Sequence, residues 1–222
     1  MDDAALDTMT ARDRVDLLHQ EIRDRICLLD YLPGSRLSET ELAQEFGISR
    51  TPLRRVLARL EDEGLLRSVH GVGTMVTDVD YAELAQVYRL RKELVLLQTR
   101  LDPVPVSDAL LGRVRAILQR ARGLEDAPSA REFMRMDRDM FLALLELTDN
   151  APLRQMSERL YFRTARIWLQ QVTASHIDLM QECRIYAREA AEILNALELG
   201  DLDAVGHIRR AHISLSFARM KG

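Results

Sequence analysis

Residues 39–76, ETELAQEFGISRTPLRRVLARLEDEGLLRSVHGVGTMV, read as two short helices joined by a tight turn and followed by a two-stranded wing. The first helix puts Leu42, Ala43 and Phe46 on one side, and Gly47, which tolerates a left-handed backbone, allows the sharp turn. Ser49 is positioned to cap the second helix, and Pro52 falls in its first turn, where a missing N–H costs nothing. Leu53, Val56, Leu57 and Leu60 then form one apolar stripe. At about 100° per residue, Thr51, Arg54, Arg55, Ala58 and Arg59 fall on the outward side. That face is cationic with a small residue at its centre, which suits a major groove: arginine forks pair with guanine edges or phosphates, and Ala58 lets the backbone approach. Charge alone would suit an ordinary solvated helix, because Glu61, Asp62 and Glu63 follow at once. The surrounding order of helix, Gly turn, basic helix, Gly64 stop and the hairpin LLRSV-HGVG-TMVTDV points to DNA.

On these residues, PGSRLSETELAQEFGISRTPLRRVLARLEDEGLL resembles the winged-helix DNA-binding domain of the GntR family of bacterial transcription regulators. The resemblance implies DNA contacts from Ser49, Arg50, Thr51 and Arg54 in or beside the recognition helix, and from His70 and Gly71 at the wing tip. Arg55 and Arg59 extend the same basic face. Arg55 stands where the family mostly has Glu, and Val56 where it mostly has Ala. The first departure bears on operator preference and leaves the fold untouched.

The chain of 222 residues is long enough for two domains, each with its own core. Its formal net charge is −4, so DNA binding must come from a local cationic face rather than bulk attraction. No apolar run approaches the ~18 residues of a membrane span, and MDDAALD lacks the features of a signal peptide, which implies a cytoplasmic protein. Cys27 and Cys183 stand in neither a CxxC nor a metal-type spacing and read as two buried thiols without a role.

The first helix is expected at 13–29 from Val15, Leu18, Ile22, Ile26 and Leu29, and the Leu-Pro-Gly-Ser run at 32–35 breaks it. Asp80 with Glu83 has the form of a capping box opening a long helix, so the boundary falls between a DNA-binding domain, 1–79, and an all-helical effector-binding and dimerisation domain, 80–222. Beyond it only amphipathic helical segments occur, roughly 80–101, 109–123, 130–147, 153–172, 177–197 and 202–220, with a second capping box at Ser129 and Glu132. The fold class is mostly α: a winged helix-turn-helix followed by a helical bundle.

Polar residues on the apolar stripes of that bundle are its informative positions. Arg91 and Gln98 project from the stripe Leu84, Val87, Tyr88, Leu94, Val95 and Leu101. Asp137 sits within Phe133, Met136, Met140, Phe141, Leu144 and Leu145. In the last helix, Ala204, Ile208, Ala211 and Leu215 are expected to enclose His212. Either Arg91 and Asp137 form an internal ion pair with His212 hydrogen-bonded nearby, or Arg91 binds an anionic ligand group. Tyr161, Phe162 and Trp168 read as core, and His176 and His207 as surface residues.

YRLRKEL, MDRDMF-LALLELTDN and ALELGDLDAV-GHIRRAH resemble the FCD ligand-binding domain of the FadR-type GntR subgroup. Many of that subgroup hold a metal through one Asp and three His. Asp137 and His212 match two of these ligands, whereas Phe141 and Ala190 occupy the other two positions. The resemblance therefore implies a degenerate metal site, no bound cofactor, and a retained effector cavity that includes Arg91, Gln98, Asp137, Phe141, Ala190 and His212. A guanidinium on an apolar wall favours an organic acid or acyl compound with an apolar body, expected to bury against Met136, Met140, Phe141 and Leu144.

The leading reading is a ligand-responsive regulator, binding a pseudo-palindromic double-stranded operator as a homodimer, with repressor and activator both open as its mode. Its rivals are a soluble helical enzyme and a protein-interaction adaptor. Against the enzyme, the chain carries no G-x-S-x-G, Walker loop or H-E-x-x-H, and Gly71-Val72-Gly73 is a hairpin tip rather than a phosphate cradle.

Overall fold

The computed structural model describes residues 10–78, 81–174 and 177–220. The chain divides into two compact units, Met1–Val79 and Asp80–Gly222.

In the first unit the order is α1 (Ala11–Cys27), β1 (Arg36–Leu37), α2 (Glu39–Glu45), α3 (Arg50–Asp62), β2 (Leu66–Val69) and β3 (Gly73–Val76). Helix α1 begins earlier than its apolar period suggests, because Thr10 and Asp13 close a reciprocal capping box. Gly47, at φ 62°, turns the chain between α2 and α3. Ser49 has the extended backbone of an N-cap, but its side chain makes no capping hydrogen bond. The stripe on α3 is buried as expected, with Leu53, Val56, Leu57 and Leu60 at 5% exposure or less. Helix α3 packs on α1, α2 and β2.

The wing is part of a three-stranded antiparallel sheet in the order β1-β3-β2, not a two-stranded ribbon. Strand β1 is two residues long, too short for an alternation to be read. Its register pairs Arg36 with Met75, and Arg67 pairs with Met75 from the other side. Directly opposed residues share a face, so Arg36 and Arg67 flank Met75 on the outer side of the sheet, while Leu37, Leu66 and Val76 are buried.

The second unit consists of α4 (Tyr81–Leu97), α5 (Asp108–Asp126), α6 (Ala130–Leu145), α7 (Ala151–Thr173), α8 (Leu179–Glu198) and α9 (Leu202–Met220). They pack in a closed circuit in which α4 touches α7, α7 touches α6, and α6 touches α5. Helix α5 touches α8, α8 touches α9, and α9 returns to α4. Between Leu160 and Leu169 of α7 every residue except Arg163 is buried. Two of the expected breaks are knitted together. Thr148 Oγ1 donates to the Leu101 carbonyl at 2.6 Å, and Asn150 Nδ2 donates to Asp102 Oδ2 at 2.8 Å while Asn150 Oδ1 caps α7.

Three local expectations change. The capping box at Asp80 lies outside the described residues, as does His176. Ser129 caps α6 through the Glu132 N–H, but Glu132 turns to Arg135 instead of completing the box. Helix α9 presents a different face from the one its apolar residues suggest. Val205, Arg209, His212, Ile213 and Ser216 are buried, whereas Ala211 is exposed and Leu215 is 53% exposed. The stripe is displaced by one residue because buried polar partners, not methyl groups, decide which side of α9 turns inward.

Candidate functional site

In the first unit, Thr51, Arg54, Arg55, Ala58 and Arg59 are all exposed along one side of α3, with Ser49 and Arg50 exposed at its N-terminus. Arg54 Nε donates to Glu39 at 2.9 Å, and Arg59 Nη1 donates to Asp16 at 2.8 Å with Glu63 at 3.4 Å. Arg50 donates to the Thr40 hydroxyl at 3.1 Å. Among the described residues Arg55 has no ion-pair or hydrogen-bond partner for its side chain. At the wing tip His70 and Gly71 are exposed, Gly71 with φ 75°. The wing is tied to α3 by Glu61, which accepts from the Ser68 N–H at 2.6 Å and from its hydroxyl at 2.8 Å. Two side chains that periodicity did not mark, Arg36 and Arg67, are exposed on the outer face of the sheet, Arg67 with Asp78 at 3.6 Å.

In the second unit, polar side chains from five helices meet in the interior. Asp137 of α6 pairs with Arg209 of α9 at 3.3 Å and accepts from the Tyr161 hydroxyl of α7 at 3.0 Å. His212 Nε2 stands 3.9 Å from Asp137, and His212 Nδ1 is hydrogen-bonded to Glu189 of α8. Burial alone would raise the pKa of Asp137, but the charges of Arg209 and His212 and the Tyr161 hydroxyl outweigh it and hold the carboxyl below its usual range. Burial, reinforced by Asp137, pushes the Tyr161 phenol well above its usual range.

Arg91 of α4 does not pair with Asp137. It donates to Thr164 Oγ1 at 2.6 Å and lies over the rings of Tyr88 and Tyr161, at 5.2 and 5.3 Å. Arg209 takes the expected place of Arg91 as partner of Asp137. Arg209 falls outside the apolar stripe that the sequence of α9 suggests, and no periodicity marks Glu189, which precedes Ala190 on α8.

Two spaces adjoin this cluster, of about 390 and 420 Å³ including their open mouths. Arg91, Arg209 and Ile213 line both. Gln98 and Phe141 line the first, Asp137 and His212 the second, and Ala190 neither. Met136 and Met140 are fully buried and line neither space, so they offer no surface to a ligand. Leu144 does line the first. Tyr161, Phe162 and Trp168 are buried as core residues, and His207 is a surface residue beside Asp203.

The donor set does not suit a metal ion. The carboxylate of Asp137 already faces a guanidinium, the ring of Phe141 is stacked on Tyr161 with centroids 4.1 Å apart, and Ala190 offers a methyl group. Among the described residues no cluster of three or more His, Cys, Asp or Glu is arranged to hold one. Both cysteines are buried, and burial pushes the Cys183 thiol up to about 11, which makes it a poor nucleophile near neutral pH. Among the described residues no helix is long and apolar enough to cross a membrane.

Residues 15–76 match the family described as bacterial regulatory proteins, gntR family, and residues 86–215 match the FCD domain. An HTH-type transcriptional regulator from an unstable DNA locus of Streptomyces ambofaciens is 26% identical over 209 residues, covering 90% of this chain and 82% of the relative. The HTH-type transcriptional repressor RspR of Escherichia coli is 22% identical over 200 residues, again with 90% and 82% coverage. The solved structure of E. coli McbR/YncC shares the fold with a TM-score of 0.82 at 21% identity, covering 96% of this chain and 98% of that one. The chain therefore belongs to the gntR family of bacterial regulatory proteins, with an FCD domain following its helix-turn-helix domain.

Proposed function

We propose that the protein is a cytoplasmic, ligand-responsive DNA-binding regulator, not an enzyme, that acts as a homodimer on a pseudo-palindromic operator. The observation that carries this reading is the exposed basic side of α3, held on a buried apolar stripe beside a wing. Ser49, Arg50, Thr51, Arg54, Arg55 and Arg59 are its major-groove residues, and His70 and Gly71 its wing contacts. A homodimer is supported by apolar side chains left in solvent on two helices that pack together, Leu90 and Leu97 of α4 and Leu215 of α9. Repression is the mode named for RspR and is the mode proposed for this chain.

The effector is an organic acid with an apolar body, anchored by Arg91. Its guanidinium has a hydroxyl and two rings for neighbours and no carboxylate at ion-pair distance among the described residues. Arg91 lies on the first helix of the domain 80–222, so an effector that binds it acts on the element that follows the DNA-binding domain 1–79 in the chain.

Selection of bound sequences from a random DNA pool, followed by footprinting on the winner, tests the core of this reading. Two half-sites about one helical turn apart, protected by two chains per site, are expected. Recovery of no preferred sequence would remove it.

A further inference from the structure

Arg36 stands on β1, the strand that no apolar period marked, and among the described residues its side chain has no hydrogen-bond or ion-pair partner. It is exposed on the outer face of the sheet, opposite Met75 of β3. Across the same Met75, Arg67 of β2 is held by Asp78 at 3.6 Å. Of the two guanidiniums that flank Met75, that of Arg36 is therefore the uncompensated one.

A glycine gives this side chain its direction. The Cβ that any other residue would carry at position 73 would stand 3.4 Å from Arg36 Nε and 3.9 Å from Nη2. The guanidinium thus leaves its opposite residue Met75 and runs along β3, over the bare backbone of Gly73, toward the wing tip at His70 and Gly71. Two residues of strand carry it roughly 6–7 Å in that direction. The strand order β1-β3-β2 decides the side: α3 packs on β2, so Arg36 lies at the opposite edge of the sheet. Neighbouring strands are about 4.8 Å apart, which sets the charge one strand's width to the side of β3.

We propose that Arg36 is a positioning residue for DNA, whose guanidinium binds a backbone phosphate on the side of the wing away from α3, outside the bases that α3 reads. The inference rests on the regulator reading and goes beyond its contact set, which stops at α3 and the wing tip. Whichever groove the tip enters, the rims of that groove are phosphates, and a side chain rooted behind the tip meets the rim and not the floor. The guanidinium fork matches a phosphate in both charge and shape. Such a contact carries no base information, but it fixes how the wing is seated and with it the register of α3 on the duplex. The grip is one-sided. On the β2 flank Ser68 is tied to Glu61 and Arg67 to Asp78, which leaves the β1 flank to hold the backbone.

The test is fluorescence anisotropy of the full chain on its selected operator over a salt series, with phosphate-ethylation interference on the same DNA. Each phosphate neutralised adds about 0.9 to the steepness of log affinity against log salt, and a dimer carries Arg36 twice. Arg36→Gln should melt with wild type, lower the slope by about two, and see its deficit in affinity shrink about tenfold between roughly 50 and 200 mM salt. Arg36→Lys, which keeps the charge, should restore the slope. Arg67→Gln, on the same face but paired, should leave it unchanged. The deficit of Arg36→Gln should be equal on operators that differ in their flanking bases, and interference should vanish at one phosphate per half-site, outside the bases protected by α3. A wild-type slope in Arg36→Gln, an equal fall in slope in Arg36→Lys or Arg67→Gln, or an unchanged interference pattern would each overturn the assignment. Operator selection by the wild-type chain is run alongside. If an operator is selected and Arg36→Gln keeps the wild-type slope, this inference alone falls, and if none is selected the regulator reading falls with it.

Discussion

Arg54 and Arg55 are neighbours on α3 that face solvent with different ties. Glu39 holds Arg54, and nothing among the described residues holds Arg55. An exposed ion pair is worth about 0–1 kcal/mol, so DNA displaces Glu39 easily but must still displace it. Arg54→Ala should therefore lose about 1–3 kcal/mol of specific binding, while Glu39→Gln should gain about 1 kcal/mol or less, most visibly at low salt. Mobility shifts on the selected operator at two salt concentrations measure both changes, and equal binding by wild type and Arg54→Ala would dismiss the recognition role. Inside the second unit the decisive residue is Asp137. Its folded pKa lies below the ordinary value of about 4, so its stabilising contribution is complete above that pH and is lost as pH falls through the lowered folded value. Asp137→Asn leaves Arg209 buried without a counter-charge, which should cost about 3–5 kcal/mol at neutral pH. The gap in melting temperature between wild type and this variant should hold from pH 7 to 5 and narrow below about 4. A gap that stays constant down to pH 2 would mean that Asp137 is not the stabilising partner of Arg209.

At the scale of elements, helices were legible and their phases were not always so. Helix α3 carries four buried aliphatics on one side and arginines on the other, so its inward face follows from sequence alone. Helix α9 mixes apolar and polar residues on every side, and its orientation is set by Arg209 and His212 meeting partners on other helices. No period in the sequence encodes that. Capping shows the same division. Asn150 was visible as a break before Pro152, but only the fold shows that its carbonyl caps α7 while its amide reaches Asp102 in the loop after α4. Asn150→Ala should therefore cost about 1–2 kcal/mol in urea denaturation. Asn150→Asp keeps the cap but sets a second carboxylate against Asp102, and should recover little of the loss at neutral pH. Full recovery would show that the loop-to-loop hydrogen bond contributes nothing.

For the whole molecule, the metal question separates this chain from the metal-bearing pattern of the subgroup it resembles. Arg209 gives Asp137 an internal cation, so purified protein should carry no stoichiometric zinc, nickel or manganese, and a chelator should leave its melting temperature unchanged. Elemental analysis with a thermal scan measures both, and one tightly held ion per chain would refute the argument. The amino-acid sequence by itself determined the winged helix-turn-helix, the helical character of the second unit, the basic face of α3 and the presence of Arg91 and Asp137 on the inward stripes of their helices. These features are local: they depend on spacing, turn residues and caps within a few turns of chain. The third strand, the laying of Arg36 against Gly73, the pairing of Asp137 with Arg209 rather than Arg91 and the Glu189–His212 hydrogen bond were decided only by tertiary structure. Each joins residues far apart in the chain, and which buried polar group finds which partner depends on distances that no periodicity carries.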